Sequence, residues 1–368
     1  MATSAKAKTY QKTRNWLRLV SIGFTLIILI GAIKFGWSRL FYNGADLITG
    51  NRYGALVFYF LFFSLYSLVL SFPLEIYSDF MLERQYDLSN QTLAAWFWEL
   101  MKKSLLSFGI MTPLVMLLYV LIWNFESGWW FWTWLAYAIF SLVLGKLFPV
   151  LIVPLFYKYS PIQDQALKDK ILALANRFGF SIENVYSLNL SKTTKKANAA
   201  FTGFGKTKRV ILADTLLDSF THPEIESVLA HELGHYKHHD MWKQFGFGIF
   251  VSFVGFWIAF HAFGMWTARL GFQGTGDVRA FPLLCLILFL FNLIVGPLAN
   301  AFSRYAERRA DRFALEAMRN PSSFISAMGK LSETNLADPD PHPVIEFLFY
   351  DHPAISKRIR LAQAYPGC

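Results

Sequence analysis

Charge is scarce in this 368-residue chain: Asp, Glu, Lys and Arg together make up 16% of it, against about 25% in an ordinary soluble domain. With 54% hydrophobic residues and a mean hydropathy of +0.34, that scarcity excludes a disordered chain and argues against a purely soluble one. Cysteine is scarcer still. Only Cys285 and Cys368 are present, so a disulfide scaffold is excluded. Cys285 lies in an apolar stretch and reads as a small hydrophobe, and no C-a-a-X box surrounds Cys368. No internal repeat or low-complexity tract stands out. No small-residue cleavage site follows the first apolar run, which therefore reads as a retained span rather than a removed signal. Acidic residues are outnumbered, 25 against 35 Lys and Arg, giving a net charge of +10. Nucleic acid and anionic lipid headgroups both attract such a balance; the hydropathy selects membrane lipid and speaks against nucleic acid.

What the chain has in abundance is long apolar runs. About 20 mostly apolar residues make a membrane helix, and six segments qualify: Leu17–Trp37, Tyr53–Leu74, Ser104–Phe125, Gly128–Pro149, Phe245–Thr267 and Phe281–Phe302. Trp and Tyr gather at their ends, among them Trp16, Trp37, Tyr53, Trp123, Trp129, Tyr157, Trp242 and Trp266, as in an aromatic belt. Pro149 and Pro154 predict an irregular exit from the fourth span. Lys6, Lys8, Lys12, Arg14 and Arg18 precede the first span, and Arg84, Lys102 and Lys103 follow the second. That bias places the amino terminus in the cytoplasm, so the chain returns to that side after the fourth span and again after the sixth.

The expectation is a mainly α membrane protein with about six transmembrane helices and a cytoplasmic α+β domain. Residues 1–157 form the first membrane region and 158–243 the first part of that domain. Residues 244–303 form a transmembrane hairpin, and 304–368 return to the same domain. In the polar stretch, Leu167, Ile171, Leu172 and Ala175 predict a helix over Gln163–Phe178; Val185–Leu190 and Arg209–Ala213 read as strands. Lys192–Lys196 reads as a basic turn, and Ala197–Gly205 as an extended, glycine-ended segment. The tail reads as short helices broken at Asn320–Pro321, Asp338–Pro343 and Asp351–Pro353.

Chemistry concentrates in His231-Glu232-Leu233-Gly234-His235. It lies in a helical pattern opened by a capping box at Thr221 and Glu224. Positions i and i+4 share a helix face, so both imidazoles can bind one zinc ion, and Glu232 can reach an adjacent water as general base. A catalytic zinc needs a third protein ligand. A third histidine six residues on is ruled out, because that position is Met241. His238 and His239 read as a cationic helix end. Glu307 is the better candidate, in Ser303-Arg-Tyr-Ala-Glu-Arg-Arg-Ala-Asp311. Glu307 and Asp311 share a face. One carboxylate can bind the metal while the other orients a ligand histidine. The hairpin of spans five and six brings this helix to the same membrane face. Taken alone, the two carboxylates read rather as an ion-pair face with Arg304, Arg308, Arg309 and Arg312; beside the His231–His235 motif the metal reading prevails. His261 and Asn292, inside spans five and six, line a chamber or make an interhelical hydrogen bond.

Beside the helix through His231–His235 and Ser303–Ala314 stand Asn198–Gly205, Lys208–Leu217, and His352-Pro353 with Arg358. With these pieces, the chain resembles the CAAX prenyl protease type-1 family, integral-membrane zinc metalloendopeptidases related to the a-factor-converting enzymes. The resemblance makes the cytoplasmic α+β domain, 158–243 with 304–368, a catalytic domain of zincin-like metalloprotease type. It implies one Zn2+ per chain on His231, His235 and Glu307, Glu232 as base, and Asp311 orienting a ligand. It implies that Asn198, Ala199 and Ala200 pair with the substrate backbone on an edge strand, and that His352 and Arg358 serve the scissile carbonyl or its oxyanion. The implied partner is a peptide or protein substrate, prenylated at its carboxyl terminus, in the bacterial inner membrane or the endoplasmic reticulum, with the site toward the cytoplasm. Two departures stand out. Many members carry seven spans where six are counted here, and the tail reads His352-Pro353-Ala354 instead of His-Pro-Pro. The alternatives are a quality-control membrane protease of the HtpX type, which as a rule has four spans, and a non-enzymatic transporter or scaffold with a metal site.

Overall fold

The computed structural model describes residues 2–202 and 209–365. Gly203–Gly205, Lys208 and Cys368, which figured in the sequence reading, lie outside the described residues. Apolar length builds the membrane part. Helix α1 (Ala2–Lys34) is followed by α2 (Trp37–Thr49) and α3 (Arg52–Glu75). A π-helical turn at Ile76–Met81 leads from α3 into α4 (Leu82–Gln85). Then come α5 (Leu93–Asn124) and α6 (Trp129–Leu147). The fourth span leaves through a π turn at Phe148–Ile152 and a 3-10 turn at Val153–Leu155, the irregular exit that its prolines predict. Six helical segments among the described residues are long and apolar enough to cross a membrane, and they coincide with the six runs read from the sequence. Most of their side chains are not buried within the protein, so lipid covers them.

Helix α2 was not anticipated. Its 13 residues are too few to span, and Ser38, Asn43 and Asp46 interrupt the apolar pattern. Gly36 (φ 73°) and Gly50 (φ 62°) bracket it in the left-handed region, which glycine enters without strain. It packs on α3 through Ala45, while Leu40, Leu47 and Ile48 stay exposed.

The polar part begins with β1 (Tyr159–Pro161) and α7 (Gln165–Arg177), whose first turn is capped by Asp164. Next come β2 (Asn184–Leu188), β3 (Ala199–Thr202) and β4 (Arg209–Ala213). The sheet order is β1-β2-β4-β3, with β2 and β4 parallel and the outer strands antiparallel. Thus β3 is an edge strand. Helix α8 (Asp214–Ser219) leads to α9 (His222–Lys237), which opens with the expected capping box: Thr221 N–H donates to Glu224 at 2.7 Å. The chain leaves the polar domain along α10 (Asp240–Arg269) and returns to it along α11 (Phe281–Met318). The tail forms α12 (Pro321–Thr334), α13 (Pro343–Phe349) and α14 (Ile355–Gln363), broken at the three expected places.

Two large cores result. In the polar domain, Leu167, Ile171, Val185, Val210, Leu212, Leu229 and Phe313 pack between sheet and helices. Between the membrane helices the core is aromatic, with Tyr59, Phe60, Phe63, Tyr119, Trp129, Phe263 and Phe281. A third, small cluster of Ala7, Tyr10, Leu82, Leu88 and Leu336 ties the start of α1 to the polar domain. Residue 10 therefore lies on the same side of the membrane helices as that domain. Inside the membrane part, Asn292 lines a cavity of about 500 Å3 between α10 and α11. His261 does not line it; its ring packs on Trp257 and Phe260.

Candidate metal centre

Two helices make the site. Helix α9 offers His231 and His235 on one face, and α11 lies across it. The close approach depends on Gly234. A Cβ there would meet the Ala310 backbone Cα at 2.9 Å and its carbonyl oxygen at 3.1 Å. Glu307, one turn before Ala310, is thereby brought against both imidazoles. Its Oε2 lies 3.2 Å from His231 Nε2 and its Oε1 lies 3.1 Å from His235 Nε2. The two Nε2 atoms are 3.2 Å apart. Helix α11 can do this because it is continuous. The sixth span and the Ser303–Asp311 motif form one 38-residue helix rather than two elements.

The donor set fits a metal ion. Four ligands at about 2.0–2.1 Å around a tetrahedral ion stand roughly 3.3 Å from one another; the two Nε2 atoms stand 3.2 Å apart, and each stands 3.1–3.2 Å from the Glu307 carboxylate oxygen facing it. Glu307 Oε2 is buried and makes no well-formed hydrogen bond among the described residues, an arrangement that a cation relieves. Among the described residues, His231, His235 and Glu307 form the one group of this kind.

Each histidine is backed by a carboxylate, and each carboxylate by an arginine. Asp311, fully buried, lies 2.8 Å from His231 Nδ1. Arg358 of α14 grips Asp311 with two hydrogen bonds, from Nη2 at 2.6 Å and Nε at 2.9 Å. On the other side, Asp240 lies 3.1 Å from His235 Nδ1 and is paired with Arg309. An Nδ1–H donated to a carboxylate leaves the Nε2 lone pair facing the centre. Asp240 escaped the sequence reading because it stands five residues past His235, off the i, i+4 face that helical spacing marks. The signal was an acidic residue opening a helix directly after His239, whose φ of 55° turns the chain.

The electrostatics agree. Burial alone would push the His231 imidazolium down, but Asp311 and Glu307 outweigh it and raise its affinity for a positive charge. Burial would raise Glu307, yet the imidazoles of His231 and His235 against it hold it far below the usual carboxylate range. Asp311 is held down at about 2, with burial opposed by Arg358 and His231. Glu232 goes the other way. Burial pushes its carboxyl up, with the two imidazoles partly opposing. A raised carboxyl is a better proton acceptor and donor near neutral pH.

The remaining expected residues take these places. His352 sits in the loop between α13 and α14, its side chain 54% exposed. Its Nδ1 is 2.8 Å from Asp351 and its Nε2 is 3.4 Å from Glu307 Oε1. Arg304 fixes that loop by donating to the carbonyls of Glu346 at 3.0 Å and Tyr350 at 2.5 Å. Glu346 also accepts from Ala354 N–H at 3.1 Å. Arg358 is buried against Asp311, with Nη2 4.0 Å from Glu307 Oε2. Asn198 and Ala200 are exposed and Ala199 half-buried at the start of β3. This strand runs beside α9, where the rings of Phe201 and Tyr236 meet at 5.6 Å. His238 and His239 do not join the centre; His238 packs on Phe313, and His239 is exposed. The arginines read as one ion-pair face do separate jobs, Arg304 on the loop and Arg309 on Asp240.

Known proteins place these features together. The family model described as peptidase family M48 matches residues 161–365. A second, described as the CAAX prenyl protease N-terminal region with five membrane helices, matches residues 2–158; here those residues hold α1, α2, α3, α5 and α6, with α2 at half length. The uncharacterized metalloprotease YhfN of Bacillus subtilis is 30% identical, over 98% of this chain and 85% of its own. The CAAX prenyl protease 1 homolog of Mus musculus is 27% identical, over 97% and 85%. The crystal structure of S. mikatae Ste24p superposes with a TM-score of 0.89 at 23% identity, covering 99% of this chain and 89% of that one. The chain is a multi-pass membrane metalloprotease that belongs to peptidase family M48 and is homologous to the CAAX prenyl proteases.

Proposed function

We propose that the chain is a zinc endopeptidase whose ion is held by His231, His235 and Glu307, and that it cuts near the carboxyl terminus of prenylated proteins on the cytoplasmic face of its membrane. The observation that carries the reading is the tripod of two Nε2 atoms and one carboxylate, 3.1–3.2 Å apart, next to Glu232. Zinc bound there supplies Lewis acidity to a water molecule and to the scissile carbonyl.

The chain's own residues do the rest. The open edge of β3, from Asn198 through Ala200, pairs with the substrate backbone as an added strand. Glu232 takes the proton of the attacking water on a carboxylate oxygen and passes it to the departing amine nitrogen. His352, its Nδ1 side held by Asp351, presents Nε2 to the carbonyl oxygen as negative charge grows there. Its proton affinity supports that role: burial opposes, but Asp351 and Glu307 raise it. Asp311 orients His231. Arg358 serves the transition state through Asp311 and Glu307, since Nε and Nη2 already bind Asp311.

The prenylated substrate rests on the printed names of relatives; the cytoplasmic placement rests on the Lys and Arg bias around the first spans. The test compares a farnesylated C-a-a-X peptide with its unfarnesylated twin, using purified protein with and without chelator. The expected result is chelator-sensitive cleavage that favours the farnesylated peptide. A Glu232→Ala variant should keep its zinc and lose cleavage by a factor on the order of 10²–10⁴. Equal cutting of both peptides would replace the substrate with a broader set of membrane proteins. Undiminished cleavage by the variant would remove Glu232 from its role.

A further inference from the structure

The basic turn before β3 does a job that the metal centre does not explain. Each lysine in it meets a carboxylate from the membrane part. Lys192 Nζ lies 2.9 Å from Glu99 of α5, Lys195 Nζ lies 2.7 Å from Asp87, and Lys196 Nζ lies 2.7 Å from Glu83 of α4. Glu83 and Glu99 are 8% and 6% exposed. Buried carboxylates of this kind cost several kcal/mol in desolvation and are weak devices for stability alone. Glu83 is also a hub. Tyr10 of α1 donates its hydroxyl to it, Arg14 reaches it at 3.2 Å, and Lys196 donates to Tyr10 Oη at 3.1 Å. Glu99 accepts from Gln91 as well, at 2.9 Å.

The backbone is stapled at the same place. Asn90 N–H donates to Thr193 O at 3.1 Å, Lys195 N–H to Leu88 O at 2.9 Å, and Ser89 bridges Thr194 in antiparallel fashion. The far end of the turn is fixed too. The Asn335 side chain accepts from Ala197 N–H at 2.9 Å and donates to Ala197 O at 3.3 Å, as a neighbouring strand would. The open edge follows at once. Ala213 N–H donates to Asn198 O, and the register pairs Ala200 with Ile211. In an antiparallel ladder the bonded pairs alternate, so Asn198 and Ala200 bond to β4 while Ala199 and Phe201 turn their N–H and C=O to the free side.

We infer that Glu83, through Lys196, is a positioning residue for the substrate-binding strand: the membrane helices set the height and register at which β3 receives a peptide, and Asn335 closes that edge at Ala197. The inference rests on the reading of β3 as the substrate edge. It makes peptide affinity, rather than the chemical step, depend on residues at the amino end of the chain and in α4.

Three variants of the full-length protein test it: Glu83→Gln, Lys196→Met and Ala199→Pro, the last removing one free-edge N–H without breaking a bond to β4. Steady-state cleavage of the farnesylated peptide is measured beside zinc content, together with hydrogen–deuterium exchange over residues 191–202. The expected result is a KM raised about fivefold or more in all three with kcat within about twofold, full zinc content, and exchange over 191–202 faster by a similar factor in Glu83→Gln and Lys196→Met. Lys196→Arg should restore most of the loss. A raised KM in Ala199→Pro alone, with wild-type KM or exchange in the other two, overturns this inference and leaves the substrate edge standing. An unchanged KM in Ala199→Pro overturns the edge itself. Loss of zinc, or a fall in kcat matching the rise in KM, reduces the lock to a structural one and also overturns the inference.

Discussion

The membrane core and the polar-domain core are built from different side chains. Between the spans, aromatic rings dominate: Phe281 lies 5.7–6.4 Å from the rings of Tyr59, Phe60, Phe63 and Tyr119. Around the sheet the core is mainly aliphatic. Water explains the difference. The polar domain buries apolar surface because water expels it, and branched side chains fill the space between strands and helices. Lipid tails are as apolar as leucine, so the spans gain little from burial as such and depend on specific packing and hydrogen bonds. The candidate metal centre lies at the junction. There α11 passes from one regime to the other, carrying Phe281 at one end and Glu307, Arg309 and Asp311 toward the other.

The sharpest way to break this division is at the contact that holds the junction together. Gly234→Ala places a methyl group against the Ala310 backbone, which has no flexible end to move aside. The variant is expected to push α11 away from α9, lowering bound zinc severalfold and cleavage by on the order of a hundredfold. Metal analysis and peptide assays check it, and normal zinc content would mean that the two helices tolerate separation.

Next come paired truncations, one in each regime. Leu212→Ala, fully buried in β4, should destabilise by about 2–5 kcal/mol. Leu105→Ala, on the lipid-facing side of α5 and 70% exposed, should change stability by less than about 0.5 kcal/mol. Thermal unfolding of the purified protein compares them; equal shifts would erase the distinction.

The smallest effect concerns pH. Glu224 caps α9 and binds Lys330 at 2.7 Å and Ser326. Burial opposes, but these partners hold its carboxyl down to about 2 from 4.5. A carboxyl depressed in the folded state adds stability that is fully present above its unfolded value and lost as pH falls toward its folded one. The melting-temperature advantage of the natural protein over Glu224→Gln should therefore be constant above pH 4.5 and shrink between pH 4.5 and 2. The stabilisation at stake is at most about 3 kcal/mol. An advantage that survives to pH 2 would deny the capping carboxylate its charge.

Legibility followed the same division. The six spans were plain in the sequence because lipid demands a simple signal, about 20 apolar residues in a row. Helix α2 was hidden because a half-length helix with polar positions gives no such signal. The continuity of α11 was hidden because its composition changes abruptly at Ser303, as the environment does, while the backbone carries on. At the site, His231, His235 and Glu307 could be named from spacing and topology. Asp240 could not, since a residue that orients a ligand needs only to be near it in space. The pairings of Glu83 with Lys196 and of Asn335 with Ala197 join residues more than a hundred positions apart, beyond the reach of any local pattern.

The most direct test of the metal centre is X-ray absorption at the zinc edge, on the natural protein and on Glu307→Gln. Two imidazole nitrogens and one or two oxygens at about 2.0–2.1 Å are predicted, with an oxygen lost and zinc occupancy reduced in the variant. A first shell with another number of histidines, or a spectrum and occupancy unchanged by Glu307→Gln, would contradict the assignment.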